Sequence, residues 1–211
     1  MSHNPFDAVG KLGESTGRVR FLSQEERERL LTETAKDPQL HTLVVLALAT
    51  ASRAGELVNL RWNDIEIEER PSPTPEGKPV ETARVLLRQT KNAEPRAVWL
   101  HGEALKLLKE HRERRPADDD RVFASIKGKR YDYSEPFEVA RDAAKVSNFK
   151  FHDLRHSSAT YLARAGATEQ QLKAIGGWKS NVVSRYVHLA AEDAKAVLER
   201  MNEKILGPLQ K

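Results

Sequence analysis

Cysteine is absent from the 211-residue chain, which excludes a disulfide framework, a Cys-ligated zinc or iron–sulfur site and a cysteine nucleophile. Long apolar runs are missing as well. No stretch approaches the roughly 18 apolar residues of a membrane-spanning helix, and the opening Met-Ser-His-Asn-Pro lacks the basic-then-apolar pattern of a secretory signal. A cytoplasmic chain with no membrane partner is the expectation. Aromatic residues are scarce at 6%, whereas charged residues reach 31%. The charge is nearly balanced, 35 Lys and Arg against 31 Asp and Glu for a net +4. The excess sits in residues 150–211, which hold ten basic and six acidic side chains. A solvated helix face and a surface for a polyanion both fit that distribution.

The first 22 residues contain three Gly and one Pro with little apolar periodicity, which reads as a linker or arm. Folding is expected to begin at Ser23, where Ser23 and Glu26 form a capping-box pattern for a helix to about Ala35. Asp37-Pro38 starts a second helix, and its run from Leu43 to Ala51 is apolar nearly all round, as in a central buried helix. A short helix over Glu56 to Leu60 comes next. Trp62 to Ile67, Val85 to Leu87 and Ala97 to Leu100 read as strands, and Arg70 to Pro79, with four prolines, as a loop. Further helices are expected over Glu103–Arg114, Glu135–Lys145, Asp153–Ala165, Glu169–Ile175, around Val182–Tyr186 and over Ala191–Leu206. The fold class is therefore α+β, mainly α, with a small three-stranded antiparallel sheet.

Several clusters carry chemistry. In His152-Asp153-Leu154-Arg155-His156, the i, i+3 and i+4 spacings put His152, Arg155 and His156 on one helical face. The His pair is similar to the His-Glu-x-x-His pattern of zinc peptidases, with the shorter Asp in place of Glu, and His188 is a further candidate ligand. Imidazole beside guanidinium equally suits a phosphate, and a solvated helix terminus is the plain alternative. Downstream lie Gly176-Gly177-Trp178-Lys179-Ser180 and Ser184-Arg185-Tyr186-Val187-His188. A tyrosine, with a pKa near ~10, becomes a nucleophile only with cations to hold its phenolate or a base to take its proton. Arg185, His188 and the His/Arg face are candidates for that field, although Trp178 and Tyr186 also read as core residues. Arg53 ends the apolar helix and calls for an anion, with Glu56 three residues on as its partner in an ion pair. Lys91 falls in the turn-rich Thr90–Pro95 segment between two strands, an ordinary place for a lysine.

Taken together, the order of these boxes resembles the catalytic domain of the tyrosine recombinases, the phage integrase family. The resemblance covers about Phe21 to Leu189 and rests on Arg53 with Glu56, Lys91, His152 with Arg155, Trp178, and Tyr186 with His188. It implies that Tyr186 attacks a DNA phosphodiester to give a 3′-phosphotyrosine and a free 5′-hydroxyl. Arg53, Arg155 and His152 would stabilise the non-bridging oxygens, Trp178 would pack and donate its indole N–H, and Lys91 would protonate the leaving oxygen. Glu56 and His188 would support the site, and Arg53, Lys91, Arg155, Lys179 and Arg185 would contact DNA. No cofactor and no metal are implied. The implied partners are double-stranded attachment sites and further copies of the chain, a tetramer on DNA and a monomer when free.

Two departures from the family pattern stand out. Trp178 and Tyr186 are eight positions apart where nine is usual, and one residue removed within a helix rotates the downstream residues by ~100°. A loop at Ser180-Asn181 would absorb the loss; otherwise cleavage is lost and a DNA-binding remnant is left. Family members also carry an N-terminal DNA-binding domain, and the first 22 residues resemble the tail of the linker to it. The division expected is a linker over 1–22, a catalytic domain over 23–190, and a C-terminal helix over 191–211. Ala194, Val197, Leu198, Met201 and Ile205 give that last helix one apolar face, suited to docking on a neighbouring protomer or to packing on its own core.

Overall fold

The computed structural model describes residues 20–70, 79–88, 95–115, 119–125, 129–178 and 181–188. Lys91, Lys179, the arm before residue 20 and the helix expected over 191–206 lie outside the described residues. Up to Gly176 the described part holds seven α-helices and one sheet: α1 (Gln24–Thr34), α2 (Pro38–Thr50), α3 (Ala54–Val58), β1 (Ile65–Arg70), β2 (Val80–Leu87), β3 (Arg96–Leu100), α4 (Gly102–Glu113), α5 (Ser134–Ala143), α6 (Asp153–Arg164) and α7 (Glu169–Gly176). Residues 184–188 are helical after a 3₁₀ turn over Asn181–Val183.

The helix starts obey their capping chemistry. Ser23 Oγ accepts from the Glu26 N–H, and Glu26 accepts in return from the Ser23 N–H, so both orphan donors are met. At α2, Asp37 accepts from the Gln39 and Leu40 N–H groups ahead of the proline in the first turn. Helix α2 is the centre of the domain, packing against α1, α3, α4, α6 and β3. Leu40, Leu43, Val44, Leu46 and Ala47 are all buried, as the near-continuous apolar run requires.

The sheet is antiparallel in the order β1-β2-β3, with Ile65 opposite Val85 and Val85 opposite Val98. Its period of two turns Ala83, Val85, Leu87, Val98 and Leu100 into the core. The strand expected from Trp62 begins only at Ile65. Before it, Trp62–Asp64 form a 3₁₀ turn, because the Trp62 N–H donates to Asp120 O and the indole packs near His111 and under Arg112. The end of the stretch read as a linker is also packed. Leu22 is fully buried, its N–H donates to Ser157 Oγ and its carbonyl accepts from Tyr161 Oη, so residues 20–22 belong with the folded body.

A second, smaller core forms where α6 and α7 meet residues 181–188, from Ala159, Ala163, Leu172, Val183 and Tyr186, with Trp178 against it. Helix α6 joins the two cores, since Leu154 belongs to the larger one. Replacing Leu43 by Ala, at a fully buried position of α2, is expected to cost about 2–5 kcal/mol in denaturant unfolding. A loss below about 1 kcal/mol would mean that α2 is not the packing centre.

Candidate functional site

The site gathers at the turn between α2 and α3, the start of β3, α6, and the chain from the end of α7 to residue 188. At the end of α2 the chain reverses through Ala51, which takes a left-handed conformation with φ 51°. Arg53 then caps α3. Its backbone N–H donates to Glu56 Oε2 at 2.8 Å and its Nη1 to Glu56 Oε1 at 2.9 Å. The expected Arg53–Glu56 pair is thus present. A third member, not read from the sequence, is Arg96, whose Nη1 and Nη2 hold Glu56 Oε1 and Oε2 at 3.0 and 2.8 Å. Burial pushes the Glu56 carboxyl up, but the bonds from Arg96 and from Arg53 outweigh it and leave the pKa below the usual carboxylate range.

Arg155 lies on α6 and is 2% exposed. Its Nη1 donates to Ala51 O and Gly176 O, both at 2.6 Å, and its guanidinium carbon stacks 3.9 Å from the centroid of the Trp178 ring. Nη2 is buried with no hydrogen-bond partner among the described residues. Burial, then repulsion from Arg53, brings the Arg155 pKa down to about 9, so it is still a cation at neutral pH. Sequence dictates the stacking. Gly177 takes the left-handed conformation that ends α7, and a side chain at Gly176 would lie inside the Trp178 ring.

Tyr186 is fully buried in the smaller core, with its ring centroid 5.9 Å from that of Trp178. Its hydroxyl and His156 Nδ1 are 2.5 Å apart. His152 stands edge-to-face on His156 at 5.2 Å between centroids. Lost hydration, then the charge of Arg155, holds the His152 imidazole below its ordinary pKa, although the residue reaches solvent. Burial and the adjoining His152 lower His156 likewise. The Tyr186 phenol is raised by burial, against opposing pulls from Arg185 and Arg155. The cation field expected to favour phenolate is therefore outweighed by desolvation, and the neutral imidazole of His156 is the group within hydrogen-bond distance of the phenol oxygen. His188 is exposed and makes no hydrogen bond to the described residues.

Of the residues named from sequence, Arg53, Glu56, His152, Arg155, Trp178 and Tyr186 thus fall within one connected cluster. Sequence reasoning misses His156 and Arg96 in these roles. It groups His156 with His152 as a metal pair, and the position of His156 on the Arg155 face is the available signal. Arg96 carries none beyond an inward strand position. Among the described residues no group of three or more His, Asp or Glu side chains converges as metal ligands would. What the cluster offers is a set of three cations with a single carboxylate, Glu56 held by Arg53 and Arg96 with Arg155 braced nearby on Ala51 O and Gly176 O, beside a hydroxyl in contact with a neutral imidazole.

The same arrangement of elements occurs in solved recombinase structures. The catalytic domain of bacteriophage HP1 integrase superposes with a TM-score of 0.62 at 25% identity, over 92% of this chain and all of that one. XerH site-specific recombinase in a post-cleavage complex with a palindromic difH substrate gives 0.67 at 25% identity, over 86% of this chain and 54% of that one. In sequence, the chain is 30% identical to the integrase of Salmonella phage P22 over 82% of its length and 44% of that protein's. It is 29% identical to a shufflon-specific DNA recombinase of Escherichia coli, over 89% and 45%. The chain thus spans about half the length of these curated relatives. The family pattern of the phage integrases matches residues 20–193, and the chain belongs to that family.

Proposed function

We propose that this chain is the catalytic domain of a site-specific DNA recombinase, cutting and rejoining DNA through a 3′-phosphotyrosine. The observation that carries the reading is Arg155: a buried cation whose Nη2 has no partner among the described residues, stacked on the same Trp178 that packs against Tyr186. A phosphodiester oxygen is the ligand such a nitrogen lacks, since an unpaired buried charged donor is costly. Tyr186 Oη attacks the phosphorus and its proton passes to His156 Nδ1. The bond to the 5′-oxygen breaks, and Lys91 gives that oxygen its proton. Arg53, Arg155 and His152 hold the non-bridging oxygens as charge builds in the transition state. Lys179 and Arg185 flank Trp178 and Tyr186 in sequence and are assigned to the DNA backbone, with His188 supporting. The phosphotyrosine conserves the broken ester, so rejoining needs no nucleotide, and guanidinium groups supply the electrostatics without a metal or cofactor.

Double-stranded attachment sites are the substrate in this reading, and copies of the chain assemble as a tetramer on them. XerH, bound to its difH site, is the supporting relative. The N-terminal domain, the linker over residues 1–22 and the docking of residues 191–211 on a neighbour belong to the same proposal. A DNA-binding remnant without cleavage is the second reading, favoured by the complete burial of Tyr186.

A pool of nicked duplexes with randomised flanks, which trap a covalent intermediate by losing the short 5′ fragment, tests the proposal on a denaturing gel. The wild-type chain should form an adduct. Tyr186→Phe should form none while binding DNA as before, whereas an adduct that survives would move the nucleophile to another residue such as Tyr161. No adduct with binding intact would favour the remnant.

Excess EDTA should leave adduct formation unchanged. Loss with EDTA and rescue by zinc would instead support a hydrolase built on His152, His156 and His188.

The pH profile should carry an acid limb below about 6.5, the ordinary imidazole value, because His156 must be neutral to accept the proton and its folded-state pKa is lowered. Single-turnover rates at pH 5.5–8.5 measure this. His156→Gln should slow the reaction by about 10²–10⁴ and remove the limb, and an unchanged limb would exclude His156 as the acceptor.

A further inference from the structure

Arg96 opens β3, directly after the connection that carries Lys91. Every nitrogen of its side chain, which is 10% exposed, is engaged. Besides the two-pronged grip on Glu56, its Nε donates to Ile175 O at 2.9 Å and its Nη2 reaches Ser52 Oγ at 3.5 Å. Gly177 lies against the same guanidinium, so close that a Cβ there would come within 3.0 Å of Nη1. Arg96 therefore has little to offer a substrate directly. Arg53 is the opposite case. Its side chain is 37% exposed, and only Nη1 is used, with Nε and Nη2 making no hydrogen bond to the described residues.

Both arginines share one carboxylate, and that sets up a competition. The Glu56 side chain is 2% exposed and charged, so its oxygens must be met inside the protein. Arg96 meets both, leaving Arg53 a single side-chain bond. If the Arg96 fork were removed, the preferred remaining geometry would be a bidentate pair between Arg53 and Glu56. That pair would turn the free donors of Arg53 inward and away from a phosphate.

We propose that Arg96 is a positioning residue: by saturating Glu56 it keeps the remaining donors of Arg53 available to the phosphate. The identity of that phosphate as scissile DNA rests on the recombinase reading, but the competition for Glu56 does not.

The test uses the full chain and two readouts: the rate of adduct formation on captured nicked duplex, and the affinity for inorganic phosphate from the rise in thermal midpoint, which needs no cleavage. Arg96→Ala should lower the rate about tenfold or more and weaken phosphate several-fold. Arg96→Lys keeps the charge without the fork and should also be impaired, by about threefold or more. The decisive variant is Arg96→Ala/Glu56→Gln, in which the competing carboxylate is gone and the amide oxygen still accepts the Arg53 N–H. It should exceed Arg96→Ala by about threefold or more in both readouts. A double variant as impaired as Arg96→Ala would show a plain structural tie and overturn the proposal, as would an Arg96→Lys indistinguishable from wild type. Should Arg96→Ala give no cooperative thermal transition, Arg96→Lys against Arg96→Lys/Glu56→Gln makes the same comparison. Wild-type protein that forms no adduct overturns the recombinase reading alone, because the phosphate titration still decides Arg96. Wild-type protein that forms no adduct and binds no phosphate overturns both.

Discussion

A guanidinium as buried as that of Arg155 must find its hydrogen bonds within the protein, and the acceptors it finds are two backbone carbonyls from distant parts of the chain. Nη1 joins Ala51, on the turn between α2 and α3, to Gly176, at the end of α7, while the residue itself belongs to α6. One side chain thereby sets the mutual placement of the Arg53 turn and the Trp178 segment. The left-handed Ala51 is part of the same constraint, since its conformation accompanies the reversal that presents its carbonyl to Arg155. Such residues are tolerated only where the surroundings over-determine them. Arg96 repeats the bracing one residue away on each side, at Ser52 and Ile175, so two cations tie the same two stretches of chain.

That construction links stability to affinity for anions. Arg53 and Arg96 share one carboxylate, and the Arg155 pKa is lowered first by burial and then by the charges of Arg53 and Arg96, against the opposing pull of Glu56. The cluster is consequently incomplete without a further negative charge. Binding a phosphodiester would relieve repulsion that folding has already built in, which is electrostatic preorganisation in its simplest form. The tyrosine is treated in the opposite manner. It is held neutral by burial, in contact with a neutral imidazole, so its proton leaves only along a route the protein provides.

Much of this is legible in the sequence, for identifiable reasons. The Ser23/Glu26 capping box depends on neighbours three residues apart, and it forms as the spacing predicts. The all-round apolar run of α2 fits only a central helix, and the order of the boxes from Arg53 to Tyr186 carries the family. The failures share a different cause. Arg96 pairs with Glu56 across 40 positions, and the His156–Tyr186 contact spans 30, so no local spacing announces either. His156 sits one turn from His152, and that local pattern invites a metal-site reading that the distant tyrosine displaces. For Tyr186 the core reading holds, and what the sequence leaves open is the balance, because cations can be counted in a sequence and the extent of burial cannot. The strand expected from Trp62 starts late for a similar reason, since its competing partner Asp120 lies 58 residues away.

The eight-residue interval between Trp178 and Tyr186 is best understood through the helix boundaries. A missing residue rotates the chain beyond it by ~100° only if the interval is one continuous helix. Here α7 ends at Gly176, and Gly177 redirects the chain through a left-handed conformation. Trp178 is not helical, and Asn181–Val183 form a 3₁₀ turn that leads into the helical residues 184–188. The phase of the second segment is therefore set by its own packing, through Val183 and Tyr186 in the smaller core, and not by counting from α7. What the shorter connection must satisfy is a distance, and it does: Tyr186 lies against Trp178 and reaches His156. The residue count alone is thus no measure of where the hydroxyl falls, and the position of Tyr186 depends on the apolar contacts that hold residues 183–186 against α6 and α7.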